Sequence, residues 1–456
     1  MVTPLRRLVP GGLSLRTGQA SSSGGAANAS AAATPAADAT AEDADSLDVC
    51  LLSYRSDPYS GGQGVYVKYL SRALTAQGHD VDVISGRPYP DLDPDVDLVK
   101  LPGTNVVDET DRLRAFEPGF LADWTELFEW LSVLTGGFPE PYTFGERVVR
   151  HFRDHDPQYD VVHDNQSLCY GLLDLVDMGV PTVATIHHPI TVDRDVALRA
   201  ADGLGERLLT RRWFRFLGMQ AEVAGRLPHV IAVSEASKET AVDDFGVASD
   251  GVAVVHNGID AEGFRPLPDV ERREGRIMTT VSADAPLKGT RYLLRAFAAV
   301  RDHPSDPELV VVGEFNEGGE CERLVDDLGI ADSVTTCSEI TTERMVELYA
   351  TAALAVVPSL YEGFGLPAGE AMACGVPVVA STGGGLPEVV GDAGLTVPPG
   401  DVEALAGAVR RLLDDAALRE RLGENGRDRV RTEFDWAAAA RETVAVYREA
   451  IADADD

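Results

Sequence analysis

Lysine is nearly absent from this chain. Its 456 residues include only four lysines, at Lys68, Lys100, Lys238 and Lys288. The 74 acidic residues outnumber the 40 basic residues, which leaves a formal net charge of −34. This charge repels phosphate backbones, so we expect no nucleic acid partner. An acidic, lysine-poor surface is typical of proteins from salt-loving organisms, because salt screens the repulsion between carboxylates. A GC-rich genome is the alternative explanation, and it accounts less well for the acidic excess.

Closely spaced cysteines and long apolar runs are also missing. The five cysteines are scattered, so the chain has neither a disulfide framework nor the ligand spacing of a metal site. No run approaches the roughly 18 apolar residues that a transmembrane helix needs. No apolar segment follows Arg6 and Arg7, which argues against a signal peptide. These absences predict a cytoplasmic protein without a bound metal, and peripheral contact with the inner membrane face stays open.

The start of the chain differs in composition from the rest. Residues 18–44 contain no aromatic residue and consist mainly of Ala, Ser, Gly, Thr and Asp. Such a segment buries too little apolar surface to fold, so we predict a disordered tail over residues 1–46. The whole chain is 44% hydrophobic, which supports two ordinary domains after this tail.

Short apolar runs alternate with helical stretches through the rest of the chain, as in parallel α/β sheets. Strands are predicted in the first half at 47–53, 81–84, 161–162, 182–186 and 229–233, and in the second half at 277–281, 309–312, 334–337, 353–357 and 376–380. A stretch rich in Pro and charge separates the two halves. We therefore predict an N-terminal domain over 47–256, a C-terminal domain over 257–434 and a final helix over 435–456.

The most informative run extends from Pro358 to Pro377 and reads PSLYEGFGLPAGEAMACGVP. Glu362 lies in a glycine-rich loop after a predicted strand, and Glu370 lies in the helix that follows. Ligands bind at the carboxyl ends of strands in open α/β sheets. A helix N-terminus favours phosphate, and carboxylates beside it can accept hydrogen bonds from sugar hydroxyls. The run therefore indicates a site for a sugar linked to a nucleoside diphosphate.

This run resembles the signature of family 4 retaining glycosyltransferases. Seven residues separate Glu362 from Glu370, and the run is followed by GGGLPE at 383–388 and VPPGD at 397–401. The resemblance covers roughly residues 47–450. It implies the α/β fold called GT-B, in which two doubly wound Rossmann-like domains face a cleft and the C-terminal helix crosses back to the first domain. It also implies a metal-independent transferase without a bound cofactor. Such an enzyme moves a sugar from a UDP- or GDP-linked donor to an acceptor hydroxyl, with the anomeric configuration retained.

The resemblance assigns roles at the donor site. Glu370 is expected to bind the ribose hydroxyls, and Glu362 is expected near the transferred sugar and its diphosphate. Lys288 matches the family lysine that stabilises the departing diphosphate, a role that its survival in a lysine-poor chain supports. Further donor contacts are expected from the backbones of Ile340, Phe364, Gly365 and Leu366.

One family residue is missing from the diphosphate site. Many members carry an arginine five positions before the lysine, where this chain has Ala283. Arg291 is one candidate substitute. The other is the loop at Gly61 and Gly62, whose backbone N–H groups can bind phosphate.

Polar residues also follow strand ends in the first half of the chain. The resemblance places His187 near the reacting centre, where it joins Lys288 and Glu362 as the expected catalytic group. Asp164 and Asn165 follow another strand and are expected to bind acceptor hydroxyls. For these two residues, capping of their own loop is the alternative.

Two other functions were weighed against sugar transfer. A nucleotide-sugar epimerase can use the same two-domain scaffold, but the 363–367 run fits it poorly. A non-catalytic protein that binds a nucleotide or a sugar would explain the missing arginine. The glutamate pair together with His187 and Lys288 favours the transferase.

Overall fold

The structure is a computed structural model that describes residues 46–57, 62–104, 106–107, 115–201, 203–280, 285–338 and 340–455. Almost all of the predicted disordered tail lies outside the described residues, and so do Gly61 and Ala283.

The first half of the chain forms a parallel sheet in the order β3-β2-β1-β4-β5-β6-β7. Its strands are β1 (Asp48–Ser53), β2 (Asp80–Ser85), β3 (Asp97–Lys100), β4 (Val161–Asn165), β5 (Thr182–Ile186), β6 (His229–Ala232) and β7 (Val252–Val254). The helices of this half are α1 (Gly62–Ala76), α2 (Trp124–Leu134), α3 (Glu140–His155), α4 (Tyr170–Asp177), α5 (Thr191–Ala200), α6 (Gly203–Trp213), α7 (Leu217–Ala224) and α8 (Glu235–Phe245).

The second half forms another parallel sheet, in the order β10-β9-β8-β11-β12-β13. Its strands are β8 (Arg273–Thr280), β9 (Glu308–Val312), β10 (Val334–Cys337), β11 (Ala352–Val357), β12 (Val378–Ser381) and β13 (Leu395–Val397). The helices are α9 (Thr290–Val300), α10 (Glu320–Asp327), α11 (Thr342–Thr351), α12 (Leu366–Ala373), α13 (Leu386–Val390), α14 (Val402–Asp414), α15 (Ala416–Glu433) and α16 (Trp436–Asp455).

Each sheet reverses its strand order once, and the reversals lie between β1 and β4 and between β8 and β11. The central strands read as continuous apolar runs because helices cover both faces of the sheet. All six residues of β11, for example, are buried. In open α/β sheets ligands bind outside the carboxyl ends of the strands at such a switch point. The loops after β1, β4, β8 and β11 are therefore where a site belongs.

The last helix, α16, belongs to the first sheet by its packing. Its Trp436 stacks on Tyr69 of α1, with ring centroids 5.7 Å apart and planes 12° apart. Its Tyr447 is fully buried and shares a hydrophobic cluster with residues of β1, β2 and β4. This return matches the crossing helix that the family resemblance implied, and the two parallel sheets match the expected fold class.

Candidate active site

The turn that carries Lys288 is locked to the loop after β11. Gly289 follows the lysine with φ of +68°, and a β-carbon there would lie 2.0 Å from the carbonyl oxygen of Pro358. Only glycine combines this conformation with such a close approach. The amide of Leu360 also donates to the carbonyl of Leu287 at 2.7 Å. The two loops therefore form one unit at the carboxyl ends of β8 and β11.

Glu362 is held by two neighbours in this unit. The Lys288 ammonium lies 2.8 and 3.1 Å from its two carboxylate oxygens, and Ser359 Oγ donates to it at 2.6 Å. The Glu362 side chain is 13% exposed, whereas that of Lys288 is 28% exposed. Because its oxygens are occupied, Glu362 is poorly placed to act as a free nucleophile. The ammonium keeps an accessible side for an incoming anion.

The glycine triplet at 383–385 packs against the backbone of Glu362. A β-carbon on Gly384 would lie 2.1 Å from the Glu362 carbonyl oxygen. The amide of Gly385 donates to the same oxygen at 2.9 Å. This close approach explains why the motif needs glycine, since any side chain would push the Glu362 loop away from the sheet.

Two helix N-termini meet beside this unit. Gly365 precedes α12 with φ of +116°, and among the described residues none accepts a hydrogen bond from the amides of Phe364, Gly365 or Leu366. Across the cleft, a methyl group added to Gly62 at the start of α1 would lie 3.6 Å from Leu366 Cδ1. Unpaired amides at helix N-termini favour negative charge, so this position suits a diphosphate.

Glu370 lies one turn further along α12. Burial and, to a smaller extent, the nearby charge of Asp260 raise its pKa to about 7. Asp260 itself accepts a hydrogen bond from Tyr69 at 2.8 Å. Within the described part of the chain, the Glu370 carboxyl makes no side-chain hydrogen bond. A desolvated carboxyl without partners is costly on its own and gains when a ligand supplies donors.

His187 follows β5 and is oriented by Asn165 of β4. Strand register pairs Asn165 with Thr185, which brings its side chain to the histidine. Asn165 Nδ2 faces two acceptors, Ser53 Oγ and the Gln63 carbonyl, each at 3.2 Å. Its Oδ1 therefore points to His187 Nε2, 2.5 Å away. Because Oδ1 can only accept, Nε2 carries the proton and Nδ1 is left with its lone pair. Burial lowers the histidine pKa to about 3, so the ring stays neutral.

Asp164 has a different environment from Asn165. It is fully buried, and its carboxylate accepts hydrogen bonds from Ser167 Oγ at 2.5 Å and from the Leu168 amide at 2.9 Å. Burial raises its pKa to about 6, although these hydrogen bonds oppose the increase. This arrangement is the loop capping that was the alternative for Asp164. A direct contact with an acceptor would require the loop to open.

The Glu362 loop contacts the first domain through Gly363 and also through Tyr361, whose hydroxyl lies 3.0 Å from Thr240 Oγ1. The carbonyl of Gly363 accepts hydrogen bonds from Ser234 Oγ at 2.6 Å and from Ser237 Oγ at 3.0 Å. A β-carbon on Gly363 would lie only 1.8 Å from the His187 carbonyl oxygen. The structure thus brings together His187, Glu362 and Lys288, the three residues expected to form the catalytic group.

Two other expected donor-site residues have contacts of a different kind. Arg291 places its guanidinium 2.8 Å from the Tyr292 hydroxyl and 3.8 Å from Glu320, so its polar contacts among the described residues do not include Glu362. This placement does not support Arg291 as a substitute for the arginine that Ala283 replaces. Ile340 follows the edge strand β10 and packs on the core of the second sheet.

Several residues of the site were not anticipated as site residues. They are Ser53, Asp260, Ser359 and Glu388. Ser359 belongs to the run at 358–377 and is close to Glu362 in sequence. Its contact with Glu362 could therefore have been predicted. The others contact the site only through the pairing of distant segments.

Neither a metal site nor a membrane span is found in the described ranges. No group of three or more His, Cys, Asp and Glu side chains is arranged there to hold a metal ion. None of the described helices combines the length and the apolar character that crossing a bilayer requires.

Two family models match this chain, one on each half. Residues 60–262 match Glycosyltransferase Family 4, and residues 268–429 match Glycosyl transferases group 1. The chain is also 46% identical over 408 residues to the MMP alpha-(1->4)-mannosyltransferase of Mycolicibacterium hassiacum, covering 89% of this chain and 98% of that protein. The chain therefore belongs to glycosyltransferase family 4, and it is a glycosyltransferase.

More distant relatives agree with this assignment. The D-inositol 3-phosphate glycosyltransferase of Acidothermus cellulolyticus is 32% identical, over 86% of this chain and 87% of that protein. Among solved structures, sucrose-phosphate synthase from Thermosynechococcus elongatus matches with a TM-score of 0.68 and 28% identity, over 89% of this chain and 100% of that one. The lipopolysaccharide glycosyltransferase WaaG matches with a TM-score of 0.64 at 18% identity, over 87% of this chain and 99% of that one, which shows the fold alone. The GT-B fold expected from the sequence is confirmed.

Proposed function

We propose that this enzyme transfers a mannosyl group from a nucleoside-diphosphate sugar to an acceptor hydroxyl, with the anomeric configuration retained and without a metal ion. The observation that carries the proposal is the Lys288–Glu362 unit, which lies beside free amides at the start of α12 and next to His187. The mannosyl group and an α-(1→4) linkage are taken from the name of the 46% identical relative.

The donor would bind mainly to the second domain. Its ribose hydroxyls would donate to Glu370, whose carboxyl has no other side-chain partner among the described residues. Its diphosphate would lie against the amides of residues 364–366 and the ammonium of Lys288. The start of α1 at Gly62 approaches from the other domain, which adds backbone donors where the family arginine is missing.

The chemical step would need little from a basic side chain. The acceptor oxygen forms the new bond to the anomeric carbon while the bond from that carbon to the diphosphate oxygen breaks. The acceptor proton passes to the departing diphosphate, whose growing charge Lys288 and the helix amides stabilise. His187 is neutral with a pKa of about 3, so it is a weak base, and its Nδ1 can accept a hydrogen bond from a sugar hydroxyl.

The acceptor would approach from the first domain. An α-(1→4) linkage requires an acceptor with a free 4-hydroxyl, so we propose a mannose-containing glycan. Asn165 would contribute by fixing the His187 ring, since its own amide is fully used in the structure.

Product analysis tests this proposal. The protein is incubated in EDTA with GDP-mannose or UDP-glucose and a manno-oligosaccharide, and the new linkage is read by NMR. We expect an α-linked mannosyl product from GDP-mannose and no product from UDP-glucose. A β-linked product would exclude retention, and loss of activity in EDTA would exclude metal independence. A sugar altered without any acceptor would instead indicate the epimerase.

A further inference from the structure

Glu388 reaches from the second domain to the start of a helix in the first. It lies in α13, just after the glycine triplet. Its carboxylate accepts hydrogen bonds from the amides of Glu235 at 2.9 Å and Ala236 at 3.0 Å, which are the first two residues of α8. His256 Nε2 lies 3.1 Å from the same carboxylate. A side chain more than 150 positions away thus caps this helix.

The contact is electrostatically favourable. The first amides of a helix have no partner within it, and the helix dipole favours negative charge at this end. Burial alone would raise the pKa of Glu388, but the hydrogen bonds from His256 and the two amides bring it below its ordinary value. The carboxylate therefore stays charged at neutral pH and keeps accepting hydrogen bonds from the first two amides of α8.

The same helix start also binds the catalytic loop. Ser234, the N-cap of α8, donates to the Gly363 carbonyl, and Ser237 Oγ lies 3.2 Å from the His187 carbonyl. Gly385 links this loop to α13, because its amide donates to the Glu362 carbonyl. Glu388 and Gly363 therefore both form hydrogen bonds with the N-terminal end of α8, next to His187.

We propose that Glu388 is a positioning residue: by capping α8 across the cleft, it holds the two domains in the arrangement that brings His187 to the Glu362–Lys288 unit. It contacts none of the reacting atoms in this account. The inference rests on the roles proposed above for His187 and Glu362, and it adds a function for the GGGLPE motif at 383–388.

The test is Glu388→Gln, which keeps the shape of the side chain but removes its charge and one of its acceptors. We expect kcat/KM for transfer to fall by roughly ten- to a hundredfold, the range for a lost charged hydrogen bond. Nucleotide affinity should fall clearly less than kcat/KM, because the start of α1 at Gly62 supplies only part of the proposed donor contacts. Small-angle scattering should show a more open cleft.

Glu403→Gln is the matched control. Glu403 is an exposed glutamate in the first turn of α14, so its replacement removes the same charge from a similar position without touching the other domain. Unchanged transfer and scattering in Glu388→Gln would overturn the proposal. A fall in nucleotide affinity as large as the fall in kcat/KM, together with a lower Tm, would also overturn the proposal. That pattern indicates a structural role within one domain. If the wild type binds no nucleotide, the proposed function fails, whereas scattering still decides whether Glu388 closes the cleft.

Discussion

The two walls of the cleft are built in different ways. The donor wall comes largely from one stretch of chain, in which Ser359, Glu362 and Glu370 lie within a strand–loop–helix unit. Lys288, the glycine triplet and Asp260 come from elsewhere in the chain. The wall on the first domain is assembled from Ser53, Gln63, Asn165 and His187, which lie at or after the carboxyl ends of three different strands. The first wall is local in sequence, and the second depends on strand register.

This difference has a functional consequence. Donor binding should depend on residues of the second domain and survive changes in the first. Transfer should depend on both walls, because His187 and the Glu362 loop belong to different domains and meet at Gly363. The separation gives two independent measurements, nucleotide affinity and turnover.

Replacing the cation of the donor wall should have the largest effect. We expect Lys288→Ala to lower kcat by about a hundred- to a thousandfold, because the charge on the departing diphosphate loses its ammonium partner. Lys68→Ala is the control, since Lys68 forms an exposed ion pair with Asp91. Steady-state transfer kinetics measure both variants. Equal turnover in Lys288→Ala and the wild type would remove Lys288 from the mechanism.

Removing the carboxylate of Glu370, which is proposed to bind the ribose hydroxyls, should have the second largest effect, and this effect should be on nucleotide binding. We expect Glu370→Gln to weaken nucleotide binding by about tenfold or more, the cost of a charged hydrogen bond. The raised pKa of about 7 adds a pH dependence. Hydroxyls donate to the ionised form, so wild-type affinity should rise about tenfold from about pH 6 to about pH 8. The variant should show no such rise. A pH-independent wild type would contradict the assignment of Glu370.

Disturbing the other wall should give a smaller and separable effect. We expect Asn165→Ala to lower kcat by about tenfold, because the His187 ring loses the partner that fixes its orientation. Nucleotide affinity should not change. Gln158→Ala removes a surface amide and serves as the control. A parallel loss of nucleotide affinity in Asn165→Ala would show that the two walls are not separable.

Salt should have the smallest and least specific effect, because it changes the stability of the whole protein and not of one wall. With a net charge of −34, repulsion between carboxylates weakens folding when screening is low. We expect Tm to rise with KCl concentration, by roughly 2–4 °C for each kcal/mol gained. Thermal unfolding in a KCl series measures this effect. A Tm independent of KCl would favour genome composition as the cause of the acidic excess.

The contrast between the walls also explains what the sequence could predict. The strands at 182–186 and 334–337 were predicted with the bounds that the structure shows. The first is a fully buried run in the middle of a parallel sheet, whereas the second is a partly exposed edge strand that is rich in β-branched residues. Glu362 and Glu370 could be predicted as donor-site residues because the run at 358–377 is contiguous. The hydrogen bond between Asn165 and His187 could not be predicted, since it depends on the register between β4 and β5.

Helix α15 was not predicted at all, for a reason visible in its packing. Its charged sequence contains Gly423 and Gly426, which disfavour a helix. A β-carbon on Gly423 would lie 2.4 Å from the Gly375 carbonyl, so the glycine lets α15 pack against the turn after α12. Tertiary contact here outweighs local preference. The hydrogen bonds from the Glu235 and Ala236 amides to Glu388 could not be predicted either, because they too depend on contacts between distant segments.

The roles of Lys288, Glu362 and Glu370 all depend on a nucleoside-diphosphate site in the second domain. Calorimetric titration in high KCl, with GDP, UDP and ADP in parallel, measures whether this site binds a nucleotide. We expect one nucleotide to bind, Glu370→Gln to weaken this binding and Asn165→Ala to leave it unchanged. Failure of the wild type to bind any of the three, or equal weakening in the two variants, would rule out the donor site as described.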